Sequence, residues 1–487
     1  MAKTTSYEQS DTLLEEKTVH RRIEEALEET EEETNGDTFH DIDYLFETFV
    51  GDGGFGQWLS FTCLCIIYMA SGLPLAIQMF TAHEPRHRCF VPDCDKIPSN
   101  GENEIEAAFI KYAIPTEYGS SEMFREDESF DPCKMYGLVS LNFTSVIQDI
   151  TTCSPVAFDN STIVPCEKFV YDKSVFIATL TTELDLVCED GESKQRLLGS
   201  MMMLGLLLGS CIGGWLSDTF GRKIIMLGSN LIVVPVVMFG GFSTNYFLYS
   251  CLRVISATCL PPIWICVHSL TMEIFGKEYR KSVVMVKDMI GSLAQIVVVL
   301  IVYTERDWKY MHIWMGIACL IPIPCYIFVP ESPRWLLING KLGMAKQVLI
   351  DMASKNGRVL SEEQRIRLGE ELVLLERDTI NNNDQKEASL NPLDMMRTKT
   401  SFIKTIVLLF NWVTVNVGTY TLMLNATKLH GDIFLNYTLM ALVNYIPGTV
   451  VLLITLKCFS RRANLFYGQF ILGIYVDNKI ILLLKIS

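Results

Sequence analysis

The decapeptide GWLSDTFGRK, Gly214 to Lys223, places Asp218, Arg222 and Lys223 in a short turn between two apolar runs. A carboxylate and a guanidinium at that spacing can pair with each other or with facing helix ends. Such a latch breaks no covalent bond; formed in one conformation and lost in another, it biases a two-state equilibrium. Gly214 permits two helices to approach closely, and Gly221 permits a turn that a side chain would block. The same charges also suit simple anchoring at the headgroup level, and the residues alone leave both readings open. Two further stretches carry the same residue types. TMEIFGKEYRKS (271–282) supplies Glu273 and Arg280, and PESPRWLL (330–337) supplies Glu331 and Arg334. In the second, Pro330 and Pro333 end a helix, because proline lacks the donor and clashes with the preceding turn.

A second group of charges lies inside apolar segments, where ionisable residues mark function by default. Arg253 sits roughly 10 Å along its helix from the outer end; it either snorkels to the surface or faces a cavity. Lys287 and Asp288 are adjacent, so they are expected to diverge rather than pair. Lys287 is expected to snorkel toward the basic-loop side, and Asp288 to face a cavity. The aromatic and polar residues Tyr68, Gln78, Trp264, Asn411, Trp412, Asn416 and Tyr420 could line a binding site, since Tyr and Trp stack on organic cations. Ordinary packing is the alternative for each. Cys63, Cys65, Cys211, Cys259, Cys266 and His268 show no metal-ligand spacing, and no G-x-x-x-x-G-K-[ST] loop occurs. The expectation is therefore no enzyme, no metal, no cofactor and no nucleotide-driven pump.

The elements that hold these residues are apolar helices. The chain has 487 residues, 49% of them hydrophobic. Crossing the hydrocarbon core takes about 20 apolar residues. Segments 56–80, 197–217, 224–243, 246–269, 282–303, 309–329, 402–425 and 437–458 meet that length, and 464–477 is a weaker ninth. The class is an all-α polytopic membrane protein in a lipid bilayer. The net charge of −15 owes much to an acidic N-terminal segment containing EEALEETEEET (24–34), and nothing in it favours nucleic acid. The first apolar run starts behind that segment, which does not fit a cleaved signal peptide.

Basic loops favour the cytosol. GRK (221–223), KEYRK (277–281), the stretch 338–400 and SRR (460–462) alternate along the chain, so all four fall on one side, together with the N-terminus. The chain then divides into a cytosolic segment 1–55, a first helix 56–80 and an outer loop 81–195. Helices two to six follow in 196–337, then a cytosolic helical loop 338–400 containing LSEEQRIRLGEELVLLERD, and a partial second half 401–487. The outer loop holds six of the fifteen cysteines, Cys89, Cys94, Cys133, Cys153, Cys166 and Cys188. Three disulfides are expected there, with about fifteen pairings open to them. Sequons at Asn142 and Asn160 fit the same side.

Gly214, Asp218, Gly221, Arg222 and Lys223 resemble the loop between helices 2 and 3 of the major facilitator superfamily; Thr219 departs from it, where Arg or Lys is usual. PESPR and the Glu273-to-Arg280 loop resemble the sugar-porter and organic-ion groups. DIDYLFETFVGDGGFGQW (41–58), GDIFLNYTL (431–439) and the six-cysteine loop resemble the organic cation, organic anion and carnitine transporter family. LKCFSRRA (456–463) echoes the first charged loop, with Lys457 and Ser460 in place of the family's Asp and Gly. The resemblance implies a fold of two six-helix halves that rock about a midplane site, and a carrier of small organic ions in the plasma membrane. It makes Asn411, Trp412 and Tyr420 first choices, because helix 7 sits beside the cavity, and the family keeps an Arg near Arg253. Organic cations or carnitine-like zwitterions are favoured; organic anions stay open, as does a homo-oligomer. Eight to nine of twelve helices are present. A shortened C-terminal half is therefore expected, and a non-transporting regulatory form is the alternative.

Overall fold

A computed structural model describes residues 42–91, 94–95, 109–115, 130–138, 158–384, 398–426, 431–439, 441–442, 455 and 463. Its long helices are α1 (Phe55–Ala76), α2 (Cys188–Phe220), α3 (Arg222–Gly240), α4 (Tyr246–Ile274), α5 (Arg280–Thr304), α6 (Trp308–Leu320), α7 (Leu342–Lys355), α8 (Glu362–Asp384) and α9 (Lys399–Ala426). Among the described residues, seven helices are long and apolar enough to cross a membrane: α1 to α6, with short extensions of α1 and α6, and α9. The eighth expected span, 437–458, and the ninth, 464–477, fall mostly outside the described residues.

α2 shows how sequence becomes packing. Its buried positions include Leu198, Met202, Gly205, Gly209, Gly213 and Ser217, a stripe at helical spacing. A Cβ added at Gly209 would lie 2.2 Å from the Thr258 carbonyl, and one at Gly213 would lie 2.7 Å from Pro262. Small residues thus bring the backbones of α2 and α4 into direct contact, the general device for packing helices without a hydrophobic drive. The expectation for Gly214 is corrected here: a Cβ at that position meets nothing within 4 Å. One residue is 100° of helix rotation, and that moves Gly214 off the buried stripe.

α1 packs against α5 and α4, α3 against α4 and α6. Leu64, Ile67, Leu260, Ile263, Val267, Leu270, Val298 and Met311 are buried between them. Pro74 interrupts α1. It has no N–H to offer the Ala70 carbonyl, and the Cys319 thiol on α6 donates to that oxygen instead, at 3.5 Å. The end of α2 carries the break expected of Gly221, whose φ of 106° lies in the region glycine tolerates.

The cysteine-bearing stretch forms two small antiparallel ribbons. β1 (His87–Cys89) pairs with β4 (Phe169–Tyr171), and β2 (Lys134–Leu138) with β3 (Phe158–Pro165). Disulfides join Cys89 to Cys166 and Cys133 to Cys188. Cys94 is also disulfide-bonded; Cys153 lies outside the described residues. The second bridge ties this stretch to the first residue of α2, so 188–195 is helix rather than loop.

Candidate functional site

The charged loops converge on one end of the bundle. Glu331 sits at the N-terminus of α3, where its carboxylate accepts from the backbone N–H groups of Arg222 at 3.0 Å and Lys223 at 3.2 Å. Unpaired amides and the helix dipole make that position favourable for an anion. Gly221 is required twice over, since a Cβ there would also lie 2.7 Å from Glu331 Oε2. Arg222 pairs with Asp218 at 3.2 Å and stands 3.6 Å from Glu273. The Trp335 indole donates to the Asp218 carbonyl at 2.7 Å. The short helix Pro333–Ile338 is opened by Ser332, whose Oγ accepts from Trp335 N–H at 3.1 Å. Pro333 takes its first position, where proline's missing donor costs nothing.

Arg280 and Arg334 turn to a residue that spacing alone did not single out. Both pair with Asp43, Arg334 at 2.8 Å. Lys277 reaches the same carboxylate at 3.6 Å. Asp43 is only 3% exposed. Burial pushes its carboxyl up, but the hydrogen bonds and charges of Arg280 and Arg334 prevail and hold it below its usual value. The segment is pinned further along. Asn356, just past α7, donates to the carbonyls of Val50 and Gly51 at 3.0 Å and accepts from Gly56 N–H at 2.8 Å. Asp52 accepts from Gly276 N–H at 3.0 Å. The stretch DIDYLFETFVGDGGFGQW was visible as a motif. The partners of its two buried-end acids were not, because they lie more than two hundred residues away.

The interior holds a second constellation. Lys287 on α5 is 2% exposed, and its ammonium lies 3.1 Å from Asp288 Oδ1, 3.3 Å from His268 Nδ1 on α4 and 4.3 Å from the Tyr68 ring centroid on α1. Two expectations are overturned. Lys287 does not snorkel, and it does pair with its neighbour. Cβ vectors of adjacent residues diverge, yet the four-carbon stem of Lys is long enough to curl back. Tyr68 contributes the electron-rich face that a buried ammonium favours. Trp264, one turn from His268, donates to Ser71 Oγ on α1 at 3.0 Å. Asp288 keeps 47% of its side chain exposed, and His268 is exposed. Asp288 is thus brought together with Tyr68, His268 and Lys287, and Trp264 borders the group through Ser71.

The remaining candidates go elsewhere. Arg253 is 5% exposed with all three nitrogens engaged: Nε and Nη2 donate to Gln78 Oε1 at 3.0 and 2.8 Å, and Nη1 donates to the Pro74 carbonyl at 2.7 Å. It binds α4 to the end of α1, and Nη2 also donates to Met202 Sδ on α2 at 3.4 Å. On α9, Trp412 is 68% exposed, and none of that helix's span is buried, so Trp412 does not join the interior group. Asn411 lies beside it on the same helix. Tyr420 is on α9 too, but its side chain is outside the described residues. Asn160 is exposed on β3; Asn142 is not among the described residues. His87 lies near Cys133 and Cys188, but those sulfurs are spent on each other.

Away from the charged loops, aromatic rings gather at the far ends of α1 and α5. Phe80 stands 4.8 Å from Tyr437, and Phe434 packs on Phe176 at 6.0 Å and Tyr303 at 5.5 Å. The Tyr437 hydroxyl donates to Gln295 on α5 at 2.5 Å. GDIFLNYTL therefore docks on the first six helices, with Asp432 accepting from Phe434 N–H at 2.8 Å at its start.

A membrane-crossing helical bundle with charged loops latched at one end and an ionic, aromatic group in its interior is the architecture of a transporter, not of an enzyme. The model of the sugar (and other) transporter family matches residues 160–476, and the chain belongs to that family and has the major facilitator fold. It is similar to solute carrier family 22 member 4 of Mus musculus, 28% identical over 85% of this chain and 71% of that one. It is likewise similar to organic cation/carnitine transporter 2 of Homo sapiens, 28% identical over 87% of this chain and 72% of that one. Among solved structures, the proton:xylose symporter XylE matches 57% of this chain and 60% of its own at 17% identity, with a TM-score of 0.43.

Proposed function

We propose that the protein carries small organic ions, either organic cations or carnitine-like zwitterions, across the plasma membrane by alternating access, with its N-terminus in the cytosol. One observation carries the reading: Tyr68, His268, Lys287 and Asp288 meet between three membrane-crossing helices, with Trp264 one turn from His268, Asp288 half exposed and His268 exposed. Charges held at that depth are costly and are kept for function. The relatives named for organic cation and carnitine transport support the substrate class. In this reading the latched loops of Asp218, Arg222, Glu273, Arg280, Glu331 and Arg334 face the cytosol, as their basic residues favour. They stiffen the first half while the site opens alternately to either side. The disulfide-bonded stretch with Asn160 faces outward and is glycosylated. Lys287 makes organic anions the second reading.

Uptake of labelled carnitine, tetraethylammonium and an aromatic organic anion by cells expressing the chain tests this. Saturable uptake of the zwitterion or the cation is expected. Absence of uptake of all three, with surface expression verified, rejects it.

A further inference from the structure

Resting on that reading but going beyond it, we propose that Lys287 and Asp288 form an exchangeable ion pair that selects substrates carrying both a carboxylate and an ammonium group. The lysine ammonium is buried, with Asp288, His268 and the Tyr68 ring around it. Among the described residues the pair has no further ionic partner. One end is closed and the other open: Lys287 is 2% exposed, Asp288 47%.

The arrangement fixes what can bind without leaving a charge stranded. A simple cation drawn to Asp288 takes that carboxylate away from Lys287 and leaves a buried ammonium without a counter-charge. A simple anion drawn to Lys287 sets a second negative charge beside Asp288, with no ammonium to offset it. Stranding a buried charge is the costly outcome, far more so than exchanging its partner. A zwitterion exchanges both partners at once. Its carboxylate takes the Lys287 ammonium while its ammonium takes Asp288, and every charge stays paired.

His268 supports the carboxylate side. Its Nδ1 lies 3.3 Å from Lys287 Nζ, and an ammonium can only donate, so Nδ1 is the acceptor and Nε2 carries the proton. The exposed ring then offers a second donor to an incoming carboxylate. The Tyr68 ring, 4.3 Å from the Lys287 ammonium, keeps favouring that cation while Asp288 turns to a substrate. No bond is made or broken; the selection is a difference in how many charges remain paired, which is the general form of specificity against a wrong ligand.

Uptake of carnitine, tetraethylammonium and para-aminohippurate is measured for the full chain and for Lys287→Gln, Lys287→Arg and Asp288→Asn, normalised to surface protein. The unaltered chain is expected to favour carnitine over both others. Lys287→Gln is expected to raise the KM for carnitine at least tenfold while lowering it for tetraethylammonium, because Asp288 is released. Asp288→Asn is expected to shift preference toward para-aminohippurate, and Lys287→Arg to keep the order of the unaltered chain. Preference for tetraethylammonium in the unaltered chain, or a carnitine KM unmoved by Lys287→Gln, overturns the proposal. The thermal shift given by each compound to the purified protein separates the two readings. A carnitine shift lost in Lys287→Gln, with no uptake by the unaltered chain, sustains the ion pair while transport fails. No shift with any compound overturns the ion pair, whatever uptake shows.

Discussion

Arg253 and Lys287 are both buried cations inside the first helical half, and the protein treats them in opposite ways. Arg253 is held by neutral acceptors, the Pro74 carbonyl near the end of α1 and the Gln78 amide just past it. Lys287 is held by a carboxylate that is itself half exposed. The guanidinium fork reaches two rigid acceptors at once, which suits it to bracing helices. The ammonium is a point charge whose partner can be replaced. Two cations of equal charge thus serve different ends, and what separates them is the chemistry and exposure of the partner, not depth in the sequence.

The sharpest way to break that distinction is Arg253→Met. It leaves Gln78 and the Pro74 carbonyl buried without a donor, a loss of about 3 kcal/mol for unsatisfied groups, and should lower the melting temperature and the amount of folded protein in detergent. Lys287→Gln should cost no more than about 1 kcal/mol, since the carboxylate it releases is half exposed and water can serve it. A Lys287→Gln variant as unstable as Arg253→Met would erase the difference between brace and site.

Asp43 offers an ionic region of a third kind, at the bundle's end. Asp43→Asn removes the shared partner of Arg280 and Arg334. Both arginines keep some contact with water, so the expected loss is about 2 kcal/mol, below that of a fully buried pair. Asp43 is held below the usual carboxylate value of 3.8 in the fold. A group depressed in this way adds stability that is complete above its unfolded value and is lost as pH falls through the folded one. The segment 42–50 should therefore keep this contribution at neutral pH and lose it in acid as Asp43 takes up its proton. Hydrogen exchange of its amides against pH, faster at neutral pH in Asp43→Asn than in the unaltered chain, checks both points.

The smallest effect belongs to one of a pair of glycines. Gly209→Ala drives a methyl into the Thr258 carbonyl and should cost about 2 kcal/mol by overpacking. Gly214→Ala should fall within about 0.5 kcal/mol of neutral. Equal effects from the two would show that α2 is rotated from the packing described.

Much of this was legible in the chain. Runs of apolar residues long enough for a bilayer gave the class and placed α1 to α6. The glycine, proline and charge spacing of GWLSDTFGRK and PESPRWLL marked the loops that meet. The interior site was legible only in part. Trp264 and Asp288 could be named by type, while His268 looked scattered, Lys287 looked like an anchor and Arg253 looked open to substrate.

Local spacing determines helices, turns and membrane crossings because each depends on neighbours a few residues away, and those the amino-acid order states outright. Which of two buried cations is locked and which is free depends on groups brought in from other helices: Gln78 and Pro74 to Arg253, Tyr68 and His268 to Lys287, Asp43 to Arg280 and Arg334. Hydrogen bonds need donor and acceptor within about 3.2 Å, and ion pairs weaken with separation, so only the folded arrangement decides them.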